Sequence, residues 1–283
     1  EISLGLVGSE MCIRDRFTYV FNKLTGLFDK MTFANEPLLD QPMGFNVWRA
    51  PTDNDRKLKA DWYAAHYDHA ATNAYHTEYT VTASGVTLHT HVGIAAICVQ
   101  KFLDLDVTWT VANNGSVDLA LHAQRNTVFP ELPRFGLRLF LPQEMSQVNY
   151  YGMGPMECYR DKHHAASHSS YTATVWQLHE DYIRPQENGS HFDCDYVMLA
   201  GDAVRLTAVG TQPFSFNASH YTQEELTRKA HNYELEPCGS TVLCLDYAQN
   251  GIGSESCGPR LLEQYRLDDA TFNFGLRLFP EKK

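Results

Sequence analysis

The residues of this chain that could do chemistry gather in four short segments rich in acids, amides, Arg, Gly and Pro. In the first, Phe45-Asn46-Val47-Trp48-Arg49-Ala50-Pro51-Thr52-Asp53-Asn54-Asp55, an arginine precedes an acid-amide-acid triplet. The carboxylate and amide oxygens of Asp53, Asn54 and Asp55 suit a sugar or a cation. They suit equally a folded loop tied by Arg-carboxylate hydrogen bonds, and Asx-rich loops usually bond their own backbone, so the structural role is favoured. The second segment, Tyr150-Tyr151-Gly152-Met153-Gly154-Pro155-Met156-Glu157-Cys158-Tyr159-Arg160-Asp161, lacks the third glycine of a dinucleotide fingerprint and has Pro155 directly after Gly154. In the third, Tyr182-Ile183-Arg184-Pro185-Gln186-Glu187-Asn188-Gly189, Glu187 would serve as a general acid or base if buried beside another carboxylate. Solvation, or pairing with Arg184, is the commoner fate of one Glu beside an Asn-Gly turn. The fourth, Asn250-Gly251-Ile252-Gly253-Ser254-Glu255-Ser256-Cys257-Gly258-Pro259, reads as a long connection between strands. Nucleophilic use of Cys257 at its tip would require a partner histidine.

Histidines and cysteines add little. His89 and His91 would share a strand face, and His163, His164 and His168 lie in a polar stretch, but no Cys or carboxylate spacing completes a standard metal site. Surface imidazoles and no bound metal are the expectation. The seven cysteines include no Cys-x-x-Cys pair, so buried thiols in a reducing compartment are expected.

Strands must position these segments. Leu103, Leu105, Val107, Trp109 and Val111 alternate with Asp104, Asp106, Thr108 and Thr110, the period of a half-buried antiparallel strand, and the turn Asn113-Asn114-Gly115 follows at once. Comparable runs at 75–83, 86–91, 135–141, 197–200, 203–209, 241–245 and 271–279 predict an all-β sandwich. Gly201-Asp202 reads as a tight hairpin with glycine at positive φ. Helical signals are confined to 57–70, where Leu58, Trp62, Tyr63, Ala65 and His66 at mixed spacings of three and four predict a short amphipathic helix, and to a capping box at Thr222-Gln223-Glu224-Glu225.

The chain of 283 residues carries a formal charge of −11 and 12% aromatic residues, which excludes global disorder. The acidic balance argues against nucleic acid, which needs clustered Lys and Arg rather than isolated pairs such as Arg228-Lys229 and Lys282-Lys283. No apolar run approaches the roughly 20 residues of a membrane-spanning helix. Leu6 to Arg16 matches the translation of a transposase-type sequencing adapter in one reading frame, so residues 1–16 are expected to be a non-native assembly artefact joined to a truncated gene. One domain is then expected over 17–283.

Taken together, the motifs resemble the C-terminal small-chain domain of bacterial β-galactosidases of glycoside hydrolase family two. Those that carry the resemblance are Phe17-x-x-x-Phe21 with Thr25-Gly26-Leu27, Asn46 to Asp55, Tyr151-Gly152-Met153-Gly154-Pro155-x-Glu157-x-Tyr159, Arg184 to Gly189, Phe216-Asn217-x-Ser219-x-Tyr221, and Gly251-Ile252-Gly253-Ser254 to Pro259, in the family's order. The resemblance implies a galactose-mutarotase-like β-supersandwich with a few short helices. It implies too that the two carboxyl groups a retaining glycosidase needs, about 5 Å apart, belong to a (β/α)₈ barrel outside this chain. No catalytic residue is therefore carried onto this chain, and any Mg or Na would be held by that barrel. The implied role is to support the barrel and lend the loop of Gly253, Ser254, Glu255, Ser256, Cys257 and Gly258 to a site for terminal β-D-galactosides. Trp48, Arg49, Asp53, Asn54, Asp55, Glu157, Arg184, Glu187 and Asn188 are the motif residues expected to shape the loops. Some members place a tryptophan near the position of Cys257, so a non-aromatic wall or backbone contact is expected here. The expected partner is the barrel, in the same polypeptide or a separate large subunit, within a cytoplasmic oligomer. A sugar-binding or barrel-docking module and an aldose 1-epimerase using His and Glu are the alternative functions.

Overall fold

The computed structural model describes residues 16–283 and, ahead of them, the backbone of two strands. The strands are β1 (Ile2–Leu4), β2 (Ser9–Arg14), β3 (Phe17–Asn22), β4 (Leu27–Phe33), β5 (Glu36–Pro37) and β6 (Gln41–Asn46). After helix α1 (Leu58–Ala64) come β7 (Ala71–Val81), β8 (Gly85–Ala95), β9 (Leu103–Ala112), β10 (Val117–Arg125), β11 (Arg134–Pro142), β12 (Gln147–Gly154) and β13 (Ser167–Thr174). The chain ends through β14 (His191–Ala200), β15 (Val204–Ser219), α2 (Gln223–Arg228), β16 (Ser240–Gln249) and β17 (Thr271–Lys282).

Two antiparallel sheets result. The smaller follows chain order from β1 to β5. The larger has the order β13-β12-β14-β15-β17-β10-β9-β8-β7 and branches at β15 through β16 to β11 and β6. The adapter-like segment lies mostly outside the described residues; its strand backbone pairs Ser9–Arg14 with Phe17–Asn22.

Alternation decides which faces meet. Leu105, Val107, Trp109 and Val111 on β9 are buried, and β10 sets Leu119 opposite Trp109 and Leu121 opposite Val107 in register. Onto this apolar face β3 and β4 lay Tyr19, Phe21, Phe28 and Met31, all buried. Phe28 meets Trp109 edge-on at 5.3 Å, and the Trp109 indole donates to the Gly26 carbonyl at 3.0 Å. Gly26 has φ +74, and a Cβ there would come within 2.8 Å of the Val92 side chain, so the turn requires glycine. Strand β16 differs: it lies between β11 and β15 in the sheet, and Ser240 to Asp246 are all buried, as expected of a strand covered on both faces.

Several expectations are corrected. Gly201 forms the hairpin, its N–H donating to the Val204 carbonyl at 2.9 Å, but it is not among the positive-φ glycines. The first helix ends at Ala64 because His66 is left-handed, φ 56, and Tyr63 and His66 lie on the exposed side. Thr222 caps α2 through the Glu225 N–H at 3.1 Å, but the Glu225 carboxylate accepts from the Glu236 N–H and pairs with Arg228, leaving only half the expected box. The second polar segment, from Tyr150, begins as strand rather than loop, because β12 continues to Gly154.

Candidate functional site

The four polar segments converge. A cavity of 190 Å³ is lined by Thr52, Asp53 and Asn54 from the first, Glu157 and Tyr159 from the second, Tyr182, Gln186 and Glu187 from the third, and Ile252 from the fourth. What holds them together is a network of buried charges.

Its first half was legible locally. Arg49 donates to both Asp55 oxygens, at 2.6 and 3.3 Å, and Asp55 also accepts from the Thr52 N–H at 2.8 Å and hydroxyl at 3.0 Å. The same guanidinium donates to the carbonyls of Asn250 and Gly251, the latter at 3.1 Å, and lies 5.1 Å from the Trp62 ring centroid. One side chain thus fastens the first segment to the fourth. Asn54 repeats the tie: its amide donates to the Gly253 carbonyl at 2.8 Å, and its oxygen accepts from the Ser256 hydroxyl at 2.9 Å. Trp48 donates to the Thr227 hydroxyl at 3.1 Å, and Asp53 is exposed.

The second half was hidden. Glu187 is buried, as a catalytic carboxyl would be, but its partner is not Arg184, which is exposed. Glu187 pairs with Arg134 at the start of β11, and accepts from the Ala50 N–H at 3.1 Å and the Asn217 amide at 2.8 Å. Arg134 also grips Asp246 of β16 through two hydrogen bonds, and all three side chains have no exposed surface. Burial pushes Asp246 up to about 6 against the pull of Arg134 and its hydrogen bonds. Arg134 stays charged, because the attraction of Asp246 and Glu187 outweighs its own burial. The two carboxylates share one guanidinium, which fits a brace between loop and sheet better than an acid-base pair. Gly136 permits the close approach: a Cβ there would lie 2.1 Å from the Leu245 carbonyl and 2.5 Å from the Asp246 Cα.

Glu157 is equally committed. It accepts from the Tyr182 and Tyr159 hydroxyls and from the Gly189 N–H at 3.0 Å. Burial first, and then the Glu157 hydrogen bond, raise the Tyr182 phenol above its ordinary value, so it remains a donor. Asn188 shapes its turn, donating to the Gln186 carbonyl at 2.9 Å and accepting from the Glu180 N–H at 3.1 Å. The fourth segment is clamped from below by Asp161, whose carboxylate accepts from the Ile252 and Gly253 N–H groups at 2.9 and 2.7 Å. Beyond that clamp, Ser254 and Cys257 are exposed at the tip, Glu255 and Gly258 are half-buried, and Cys257 touches the Ser256 hydroxyl at 3.9 Å.

Not every imidazole and thiol is where composition suggested. His191 and His220 are buried, not on the surface; His191 sits between Tyr150 and Phe216, and burial brings it down to about 4. His91 lies at the surface beside Asp104 and Asp106, at 2.8 and 2.9 Å. Among the described residues no group of three or more His, Cys, Asp or Glu is placed to hold a metal. Cys158, Cys194 and Cys244 are buried, and burial raises Cys158 to about 11 and Cys244 to about 12, while Cys98 and Cys257 are exposed.

The fold is that of a galactose-mutarotase-like β-sandwich. Its architecture matches a galactose mutarotase-like protein from Lactobacillus casei, with TM-score 0.51 and 11% identity over 97% of this chain and 100% of that one. It also matches a protein described as a possible aldose 1-epimerase from Escherichia coli K12, with TM-score 0.52 and 8% identity over 96% and 98%. At such identities the likeness is one of fold alone. A model of the beta galactosidase small chain family matches residues 13–278, and the chain belongs to that family. It is 43% identical over 267 residues to a beta-galactosidase of Actinobacillus pleuropneumoniae, and 38% identical over 261 residues to one of Staphylococcus xylosus. These alignments cover 94% and 92% of this chain but 26% of each relative, so the chain spans about a quarter of their length.

Proposed function

We propose that this chain is the supporting domain of a β-galactosidase, docked on a separate catalytic unit and holding the 251–259 loop against the galactoside site. The observation that carries this reading is the asymmetry of that loop. Its base is fixed by Arg49, Asn54 and Asp161, whereas Ser254 and Cys257 at its tip are exposed. A loop held rigidly at its base and open at its tip is suited to forming one wall of a site completed by another unit. The carboxylates Glu157, Glu187, Asp55 and Asp246 are consumed by internal partners, so hydrolysis is assigned to the catalytic unit, together with any Mg or Na it requires. The exposed thiol of Cys257 gives that wall a small non-aromatic edge.

The test is a chimera in which this chain replaces the matching quarter of the Actinobacillus pleuropneumoniae enzyme. The chimera is expected to hydrolyse an aryl β-D-galactoside, and the chain alone is not. Turnover by the pure chain, or a folded chimera without activity, would overturn the proposal.

A further inference from the structure

The apolar side chains left on the surface are unevenly covered. Ile183 is 81% exposed and Tyr233 78%, and their segments lie side by side, because the Asn232 N–H donates to the Ile183 carbonyl at 3.1 Å. The turn that carries Tyr233 is braced: Glu234 accepts from the Ala230 and His231 N–H groups, each at 3.0 Å, and the His231 ring stacks on Tyr233 at 5.1 Å. From here a circuit of contacts closes on itself. Arg184 interacts electrostatically with Tyr63, which is 40% exposed. Tyr63 packs on Trp48 at 5.2 Å, and Trp48 donates to Thr227 near the end of α2, from which the chain runs on to Tyr233. A scattered apolar side chain needs no explanation, whereas a contiguous group held on a braced turn marks a surface that something covers. The exposed rings of β7 differ, since Tyr75 and Tyr79 already face cations of this chain, Lys101 at 5.0 Å and Lys23 at 5.7 Å.

The place of the patch indicates what covers it. Gln186, three residues and no more than about 11 Å of chain from Ile183, accepts from the Asp53 N–H at 2.8 Å. The adjoining Asn54 holds Gly253 and Ser256 of the 251–259 loop. The patch therefore borders the loop whose tip stands open, in a chain that accounts for 26% of the length of each relative. Charge adds a second feature. Arg184 and Arg56 are exposed and form no ion pair among the described residues, although the chain carries a net charge of −11.

We propose that the catalytic unit seats on this patch, with Ile183 and Tyr233 entering an apolar depression on it and Arg184 and Arg56 meeting its carboxylates. The proposal rests on the reading of the chain as a supporting domain and deepens it by naming the face. A partner seated here reaches the patch and the 251–259 loop together, so docking and the presentation of that loop are one event.

The experiment compares hydrogen exchange in the full chain alone and in the Actinobacillus pleuropneumoniae chimera. Amides of 182–184 and 231–235 should exchange roughly tenfold more slowly or better in the chimera, while those of 77–81 on β7 should not change. In the chimera, Ile183→Asp with Tyr233→Asp should lower aryl β-D-galactoside turnover roughly tenfold or more. Val81→Asp, about 33 Å along β7 from its Ala71 end, should leave turnover unchanged. Neither change should move the urea midpoint of the chain alone, because all three side chains are exposed. An active chimera without added protection at 182–184 and 231–235 overturns the proposal and leaves the supporting role standing, as does full turnover by the double variant. A folded but inactive chimera overturns the supporting role and this proposal with it. A dimer of the chain alone that the double variant abolishes, with no added protection in the chimera, assigns the patch to a second copy and overturns the proposal as well. If the double variant does not fold, the exchange comparison decides the matter alone.

Discussion

Replacing Arg134 with methionine is the sharpest test of the buried brace. The guanidinium is the shared partner of Glu187 and Asp246, and none of the three side chains is exposed. Breaking a buried pair by removing one partner typically costs 3–5 kcal/mol, because the remaining charge is left desolvated. Here two carboxylates are stranded and the Asn217 oxygen loses its 2.6 Å donor, so a loss of about 5 kcal/mol is expected from a total of order 5–15. The pH dependence distinguishes this cause from simple loss of packing. Burial already pushes Asp246 up to about 6, against an ordinary 3.8, while Arg134 opposes the rise. Without Arg134 the Asp246 carboxyl should titrate higher still. A carboxyl raised in the folded state favours folding below its unfolded pKa, and that contribution is lost as pH rises through the folded value. Urea unfolding of Arg134→Met should therefore show a larger deficit near pH 8 than near pH 5. Adding Glu187→Gln and Asp246→Asn should recover part of it by removing the stranded charges. A deficit under about 1 kcal/mol, or one equal at both pH values, would refute the reasoning.

Three further outcomes are expected. His191 is buried and lowered from 6.5 to about 4; a depressed folded value contributes stability above pH 6.5 that is lost as pH falls through 4, about 3 kcal/mol in all. Comparing urea midpoints across that range, His191→Phe should flatten the acid limb, and an unchanged limb would reject the assignment. Gly136→Ala should cost about 3 kcal/mol or more in the same assay, since its Cβ would press 2.1 Å from the Leu245 carbonyl; a neutral effect would show that β11 and β16 can part easily. Asp161→Ala removes the acceptor for two loop amides, so hydrogen exchange at Ile252 and Gly253 should quicken by roughly 30-fold or more; unchanged protection would mean that other contacts hold the loop.

How much of this could be read from sequence depended on distance along the chain and on how many faces an element buries. Strand β9 was plain because one face is core and the other is Asp and Thr. Strand β16 gave only its apolar run, and its buried Asp246 was concealed because a strand enclosed on both faces loses the period of two. The tie between Arg49 and Asp55 spans six residues and was visible as a motif. That between Arg134 and Glu187 spans 53 residues, and that between Arg134 and Asp246 spans 112, so local sequence offers Glu187 only solvent or the nearer Arg184. Asn217 stood in a recognised motif, but its bridge from β15 to Glu187 needed the sheet to be seen.

The network also bears on where chemistry can occur. A general acid or nucleophile must change its bonding partners during a reaction, whereas a carboxylate locked to a buried arginine has its oxygens already taken and is held in one position. Asp55 and Glu187, two acids that drew attention in the sequence, are held in this way by Arg49 and Arg134. The guanidinium that holds Asp55 also fixes the backbone of the 251–259 loop, donating to the Asn250 and Gly251 carbonyls, and the Asn54 amide adds a donor to Gly253. On the proposed reading this is how a domain without reacting groups could still affect a rate. A wall already in place spares the catalytic unit the entropy of ordering one when substrate arrives. A loosened loop should then lower chimera activity while the sheet stays folded, which makes Asp161→Ala the variant in which loop order and turnover can be compared directly.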